Sequence, residues 1–407
     1  MKIYAQILTV LTALFAVSCS NFDMPIPDRG HSDEGKRVEY GNPRYRQVMI
    51  YYGEAYNNLA ADISKNLEEL ENGYVPSKND HEAILCYVHK SRNRSDWATL
   101  VEPVLFRMYR HEGRIVRDTL IRYPSDVITV NPDMVRKVFS DIRQKFPSQS
   151  YGMVFSSHSS GWVPADYKIG SEDDTWSYSV SQHSIGAQYD SKRQEHTMDV
   201  KDFANAIPFK LNYIIFDCCL MGGIETTYML KDKANFVIAS PTEVLSEGFN
   251  YKTLVSRLLE EDKPDLAGVC EDYYKKQLGG YGATVGLYDC SKIEAVANLC
   301  ADIFSTGGDV LKVDPNTVQD YNYSFEFHYD FRDIIAKMGT SNAYLEKLDE
   351  ILDEFVVCKY ATKNFISTPI SPDTFSGISM YLPKTHLPVL NSRYKETDWN
   401  LRTGLLK

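Results

Sequence analysis

The 407-residue chain contains no Cys-x-x-Cys pair, which removes zinc ribbons and thioredoxin-like redox sites from consideration. None of its histidines stands at metal-ligand spacing from another, and no EF-hand-like loop is present. The sequence therefore implies no cofactor and no metal, and gives calcium dependence no support. Positive charge is also short: 44 Lys and Arg face 55 Asp and Glu, a net charge of −11. Phosphate binding needs a basic face, so nucleic acid is not expected as a partner. Internal repeats and low-complexity tracts are missing. Beyond the first residues no apolar run reaches the roughly 18 residues that a membrane helix requires.

What is present begins with "MKIYAQILTVLTALFAVSC". Lys2, an apolar run from Ile7 to Val17 and small residues before Cys19 have the layout of a secretory leader over residues 1–18. The ending "AVSC" resembles a bacterial lipobox, which makes Cys19 the expected lipidation site. Residues 19–44, rich in Pro, Gly and charge, read as a tether. The expected location is outside the cytoplasm, lipid-anchored to a bacterial membrane and facing the periplasm or the surface. Seven further cysteines remain, an odd number without small-domain spacing. Cys86 and Cys300 lie in apolar periodic segments and read as small core residues.

The body alternates short apolar runs with amphipathic stretches. Strands are expected at 48–55, 83–88, 104–109, 151–158, 211–217 and 235–240. "NPDMVRKVFSDIRQKF" is expected as a helix capped by Asn131, with Pro132 in the first turn and Val135, Val138, Phe139, Ile142 and Phe146 on one face. Such alternation predicts an α/β fold with a mainly parallel sheet flanked by helices. From about 251 the pattern turns helical, including "NAYLEKLDEILDEFVVCKYA", with strand runs at 283–289 and 376–383. The expected organisation is a core over 45–250 and a mostly helical region over 251–407 that packs on it and completes the domain.

In open α/β sheets the chemistry gathers beyond the carboxyl ends of the strands. Two ends carry reactive residues: "FSSHSSGW" delivers His158, and "IIFDCCLMGG" delivers Asp217, Cys218 and Cys219. A thiol becomes a nucleophile as the thiolate, which a nearby imidazole generates or stabilises. The oxyanion that follows attack on an acyl carbon needs aimed donors. The backbone N–H groups of Cys219 and Ser159 are natural ones. Against this stands the ordinary structural role of an isolated His or Cys, so residue types alone leave a Cys–His hydrolase as one reading among others.

"SSHSSGW" and "FDCCLMGGIE" resemble the two signature motifs of the clostripain family of cysteine peptidases. "VMIYYGEAYNNL", "DVKDFANAI", "ASPTEVLSEGFNY" and "SGISMYLP" extend the similarity over about 45–400. The resemblance implies a caspase-like α/β core and a cysteine endopeptidase with His158 and Cys219 as the catalytic dyad. Cys218 falls on the motif's variable small position, and strand alternation also sends it to the opposite face from Cys219. The family's preference for Arg or Lys before the cut implies that Asp217 and Glu247 line the pocket for that side chain. Its zymogen habit implies an activation cleavage in the connection after the histidine, with Lys168 as the candidate. Ser159 replaces the family's glycine; if that position requires φ > 0, the serine is strained. The rival readings are a non-catalytic lipoprotein of the same fold that binds peptides or glycans, and a peptidase cutting after acidic residues. The second needs basic pocket residues near the Cys strand, where the sequence supplies acids.

Overall fold

The computed structural model describes residues 43–167, 184–306, 308–321 and 327–407. In chain order its first elements are β1 (Tyr45–Ala55), α1 (Ala60–Glu71), β2 (Glu82–Lys90), β3 (Val104–His111), β4 (Arg114–Arg122), α2 (Pro132–Lys145) and β5 (Ser148–Ser156). The hairpin β6 (Ile185–Tyr189) and β7 (Glu195–Met198) precedes α3 (Val200–Ala206), β8 (Leu211–Asp217), α4 (Ile224–Leu230) and β9 (Ala234–Ala239). Then come α5 (Tyr251–Val255), which widens into a π-turn over Ser256–Glu260, α6 (Leu266–Gln277), β10 (Thr284–Asp289) and α7 (Ile293–Thr306). The last part holds β11 (Tyr329–Asp330), α8 (Phe331–Lys337), α9 (Asn342–Phe355), β12 (Val356–Ala361), α10 (Pro388–Lys395) and α11 (Asp398–Thr403).

Nine strands form one sheet in the order β12-β10-β9-β8-β5-β1-β2-β3-β4. The central five, β9, β8, β5, β1 and β2, run parallel, and antiparallel strands close both edges. Both faces are covered, which is why the central strands read as continuous apolar runs. Along β1, Val48, Ile50 and Tyr52 join the core on one face, with α2, α3, α4 and α7. Met49 and Tyr51 join the core on the other, with α1, α5 and α6. The helices change face between β1 and β5, so the carboxyl ends of these two strands border the crevice where such sheets place their sites. The α2 helix starts as its sequence dictates: the Asn131 side chain accepts the Met134 N–H at 2.9 Å, and Pro132 occupies the first turn.

Three expectations need correction. The run 342–361 is not one helix: α9 stops at Phe355, and Val356–Ala361 becomes the edge strand β12. The pair Val356–Val357 stiffens the backbone toward extended structure, and β10 offers an open edge to receive it. In 376–383 only Ser379–Met380 is strand, paired with β11. The rest is apolar because it is buried, with Ile378, Tyr381 and Leu382 fully covered. Finally, β5 ends at Ser156, so His158 stands on the loop beyond it.

Candidate active site

The sheet register sets the site. β5 and β8 are adjacent and parallel, with Ser156 level with Asp217. Two residues beyond the end of each strand stand His158 and Cys219, on loops that leave the carboxyl ends of the central strands. The Ser159 hydroxyl donates to the Cys219 carbonyl, so the two loops are joined between the residue after His158 and the predicted nucleophile itself. A glycine after the histidine has no hydroxyl to make this bond.

The strain anticipated at Ser159 falls elsewhere. Ser159 lies in an extended bridge with Ile185 of β6, and the positive φ angles around it fall on Gly161 (70°), Gly186 (73°) and Leu220 (60°). A Cβ on Gly161 would stand 2.5 Å from the Leu220 carbonyl oxygen, so the close approach of the loops depends on that glycine. The bridge uses the His158 carbonyl, which accepts from Gly186 N–H at 2.9 Å, and the Ser160 N–H, which donates to Ser184 at 3.1 Å. In this pairing the Ser159 N–H points away from the hairpin, as an oxyanion donor must.

The nucleophile loop is held from both sides. Leu220 N–H donates to Thr242 at 3.0 Å and Gly222 N–H to Ser240 at 2.9 Å, while the Gly222 carbonyl accepts from Ser379 N–H at 2.8 Å. Cys218 is buried in the core, where burial pushes its thiol well above the ordinary range. Cys219 is half-buried. Its sulfur sits 3.4 Å from the Val244 N–H and 3.6 Å from the Val244 carbonyl oxygen. Burial, with Glu243 and Asp217 adding negative charge, pushes this thiol up to about 12. In this state it is an S–H group at neutral pH.

On the other loop, His158 Nε2 lies 2.6 Å from Asn58 Oδ1, just past the end of β1. An amide oxygen there keeps the ring proton on Nε2 and leaves Nδ1 as the basic nitrogen. Asn57, its neighbour, anchors this turn by donating to the Ala187 carbonyl at 2.7 Å and accepting the Leu59 N–H at 2.8 Å. Asn58 stands in "EAYNNL", where the motif similarity assigns it no role. The signal available was its place at the end of a central strand.

Asp217 lies at the bottom of the crevice. Its carboxylate accepts from Ser156 Oγ at 2.9 Å, Asn66 Nδ2 at 3.5 Å, the Tyr251 hydroxyl and the Phe249 N–H. Burial pushes the carboxyl above its ordinary value, against the pull of these donors and of Lys276. Gly248, at φ 56°, passes so close that a Cβ there would stand 2.8 Å from Oδ1. Lys276 grips this loop: its Nζ donates to the Glu247 carbonyl at 2.7 Å and the Phe249 carbonyl at 2.8 Å, and pairs with Glu69 at 3.2 Å. The Glu247 residue itself is exposed on the loop surface. Glu243, close enough to raise the Cys219 thiol, is an acid that sequence reading did not single out. Cys19 and Lys168 lie outside the described residues. Among the described residues no group of three or more His, Cys, Asp or Glu side chains is placed to hold a metal ion.

Glu225, in the first turn of α4, fastens the nucleophile loop to the C-terminal segment. It is fully buried and accepts from Tyr381 N–H at 2.9 Å and the Tyr394 hydroxyl at 3.0 Å. Burial raises its carboxyl from 4.5 to about 7. Between these values the folded chain keeps a proton that the unfolded chain has lost. The contribution to stability is thus complete below 4.5 and is lost as pH rises through about 7, a change of ~3 kcal/mol. Glu225→Gln, which imitates the protonated form, is expected to flatten this slope in urea titrations run from pH 4.5 to 8.

A family model described as the clostripain family matches residues 51–399. Clostripain from Hathewaya histolytica is 22% identical over 412 residues, covering 84% of this chain and 75% of the relative. Among solved structures, an inactive zymogen C11 protease from Parabacteroides distasonis superposes with a TM-score of 0.74 at 23% identity, covering 89% of this chain and 99% of its own. A secreted C11 cysteine protease from Bacteroides thetaiotaomicron, in complex with an irreversible peptide inhibitor, gives 0.72 at 23% identity, covering 88% and 98%. At such identities the structural likeness establishes a shared fold, the caspase-like α/β arrangement expected from the motifs.

Proposed function

The chain belongs to the clostripain family of cysteine peptidases, and from that premise we propose that it hydrolyses peptide bonds after Arg or Lys using Cys219 and His158. The observation that supports this reading is the register of β5 and β8, whose last pair is Ser156 and Asp217, so that the loops carrying His158 and Cys219 leave neighbouring strand ends. His158 takes the thiol proton, and the thiolate attacks the scissile carbonyl carbon. The N–H groups of Ser159 and Cys219 hold the oxyanion. The imidazolium then protonates the leaving amine, and a thioester remains on Cys219. His158 next removes a proton from water, which attacks the thioester and releases the acid and the thiol.

Asp217, helped by Glu247 at the pocket mouth, receives the basic side chain before the cut. A buried carboxylate facing a cation gains a strong charge-assisted bond. The thiol held at Val244, protonated and turned to a backbone carbonyl, supports a latent form that autoproteolysis after Lys168 converts to the active one. We further place the protein outside the cytoplasm, anchored through a lipid on Cys19 after removal of the leader. Among the described residues no helix is long and apolar enough to cross a membrane.

Fluorogenic peptides ending in Arg, Lys, Gln and Asp test the pocket. The purified chain is expected to cut after Arg and Lys at least about 100-fold faster than after Gln. Preferential cleavage after Asp contradicts the assignment.

A further inference from the structure

Outside the crevice, two thiols face each other across the packing of α6 on the sheet edge. Cys270 is buried in the first half of α6, and Cys358 is half-buried on the edge strand β12. Four residues beyond Cys270 stands Tyr274, and two beyond Cys358 stands Tyr360. Their rings stack at a centroid distance of 5.4 Å and an interplanar angle of 25°. Residues i and i+4 share one helix face, residues i and i+2 share one strand face, and the two steps span nearly equal lengths. The tyrosine pair is therefore one rung between the elements, and the cysteine pair is the next. The two thiols stand near enough for each to shift the other's titration. On the other face of β12, Val357 and Lys359 are exposed, so Cys358 has only the α6 side to meet.

We infer that Cys270 and Cys358 form a disulfide when the chain meets a disulfide-bearing oxidant, clamping α6 to the edge strand. The order of events follows from exposure. Burial pushes the Cys270 thiol up, while the neighbouring Cys270 thiol lowers that of Cys358. Cys358 attacks first, as thiolate, on one sulfur of the oxidant's disulfide and expels the other as a thiolate, which takes up a proton. The mixed disulfide then stands beside Cys270. Its thiolate attacks the Cys358 sulfur and expels the second thiol of the oxidant. Two thiols of the protein are oxidised, one disulfide of the oxidant is reduced, and both protons end on the released thiols.

The clamp acts at two weak points. It closes a loop of nearly ninety residues, which restricts the unfolded chain strongly. It also fastens the outermost strand of the sheet, otherwise an open edge. The same helix carries, in its last turn, Lys276 and Gln277, which hold the carbonyls of residues 247–249 beside Asp217.

The test uses the purified chain carrying Cys219→Ala, which removes the other half-exposed sulfur near the crevice from the reaction. After equilibration with oxidised glutathione, free thiols are alkylated in denaturant and the digest is read by mass spectrometry. The expected result is a peptide pair linked through Cys270 and Cys358, and a Tm higher by about 5 °C that reverts with reductant. Adding Cys358→Ser is expected to abolish both the cross-link and the oxidant's effect on Tm. Alkylation of both residues after oxidation, a link from either one to a different cysteine, or a link that leaves Tm unchanged overturns the inference.

Discussion

Cys219→Ala is expected to lower kcat on a lysyl or arginyl peptide by about 10⁴-fold or more, whereas Cys218→Ala stays within a few-fold of the parent. The two sulfurs belong to adjacent residues, yet the fold sends them to different places. Cys218 is packed in the core between sheet and helices, and its replacement leaves a small cavity costing about 1 kcal/mol. Cys219 is half-buried above the crevice, with its carbonyl tied to the histidine loop through Ser159. Of the two, only Cys219 is not fully buried, so only its loss is expected to remove the proposed acyl-enzyme route. Thermal melts of both variants separate the two effects: Cys218→Ala lowers Tm while activity persists, and Cys219→Ala does the reverse.

Asp217→Asn is expected to reduce kcat/KM on Arg and Lys peptides by about 10²-fold or more, with cleavage after Gln nearly unchanged. The carboxylate sits under Gly248 with Ser156, Tyr251 and the Phe249 N–H as donors. These donors favour the charged form of a carboxyl that is little exposed to water, so its attraction for a substrate cation is little screened. Replacing one oxygen by an amide nitrogen turns a donor against donors and costs about 1–3 kcal/mol of stability. That cost is visible in a melt and separable from the change in specificity. Because burial raises this carboxyl, KM for basic peptides is also expected to rise as pH falls toward the acid range, and not to do so in Asp217→Asn.

The parts of this picture that were legible in sequence are those written in local pattern. The strand 211–217 and the helix after Asn131 follow from continuous apolar runs and from cap chemistry. His158 and Cys219 were found because each follows the end of a buried strand, and the motif pair placed them in order. The register that aligns the strand ends before them is a property of two strands pairing across about sixty residues, and no local signal carries it. The edge strand β12 was hidden because "EFVVCKYA" continues a helical period until β10 supplies a partner. Asn58 and Lys276 were missed for a related reason. Each acts by touching a loop that is remote in sequence: Asn58 meets His158 100 positions on, and Lys276 meets the carbonyl of Glu247 29 positions back. Ser159 was read as a departure that threatens the site. In the fold it takes ordinary backbone angles, the positive φ falls on Gly161, and its hydroxyl joins the two loops.

The central claim is that one thiol, Cys219, carries the acyl group while an acidic pocket selects a basic residue. It is tested most directly by treating the active chain with peptidyl chloromethyl ketones ending in Lys or Asp, then mapping the adduct by mass spectrometry. The account predicts one adduct per chain, on Cys219, formed rapidly with the lysyl reagent and slowly with the aspartyl one, and absent in Cys219→Ala. An adduct on Cys218, or full peptide cleavage after Cys219 has been labelled, contradicts it.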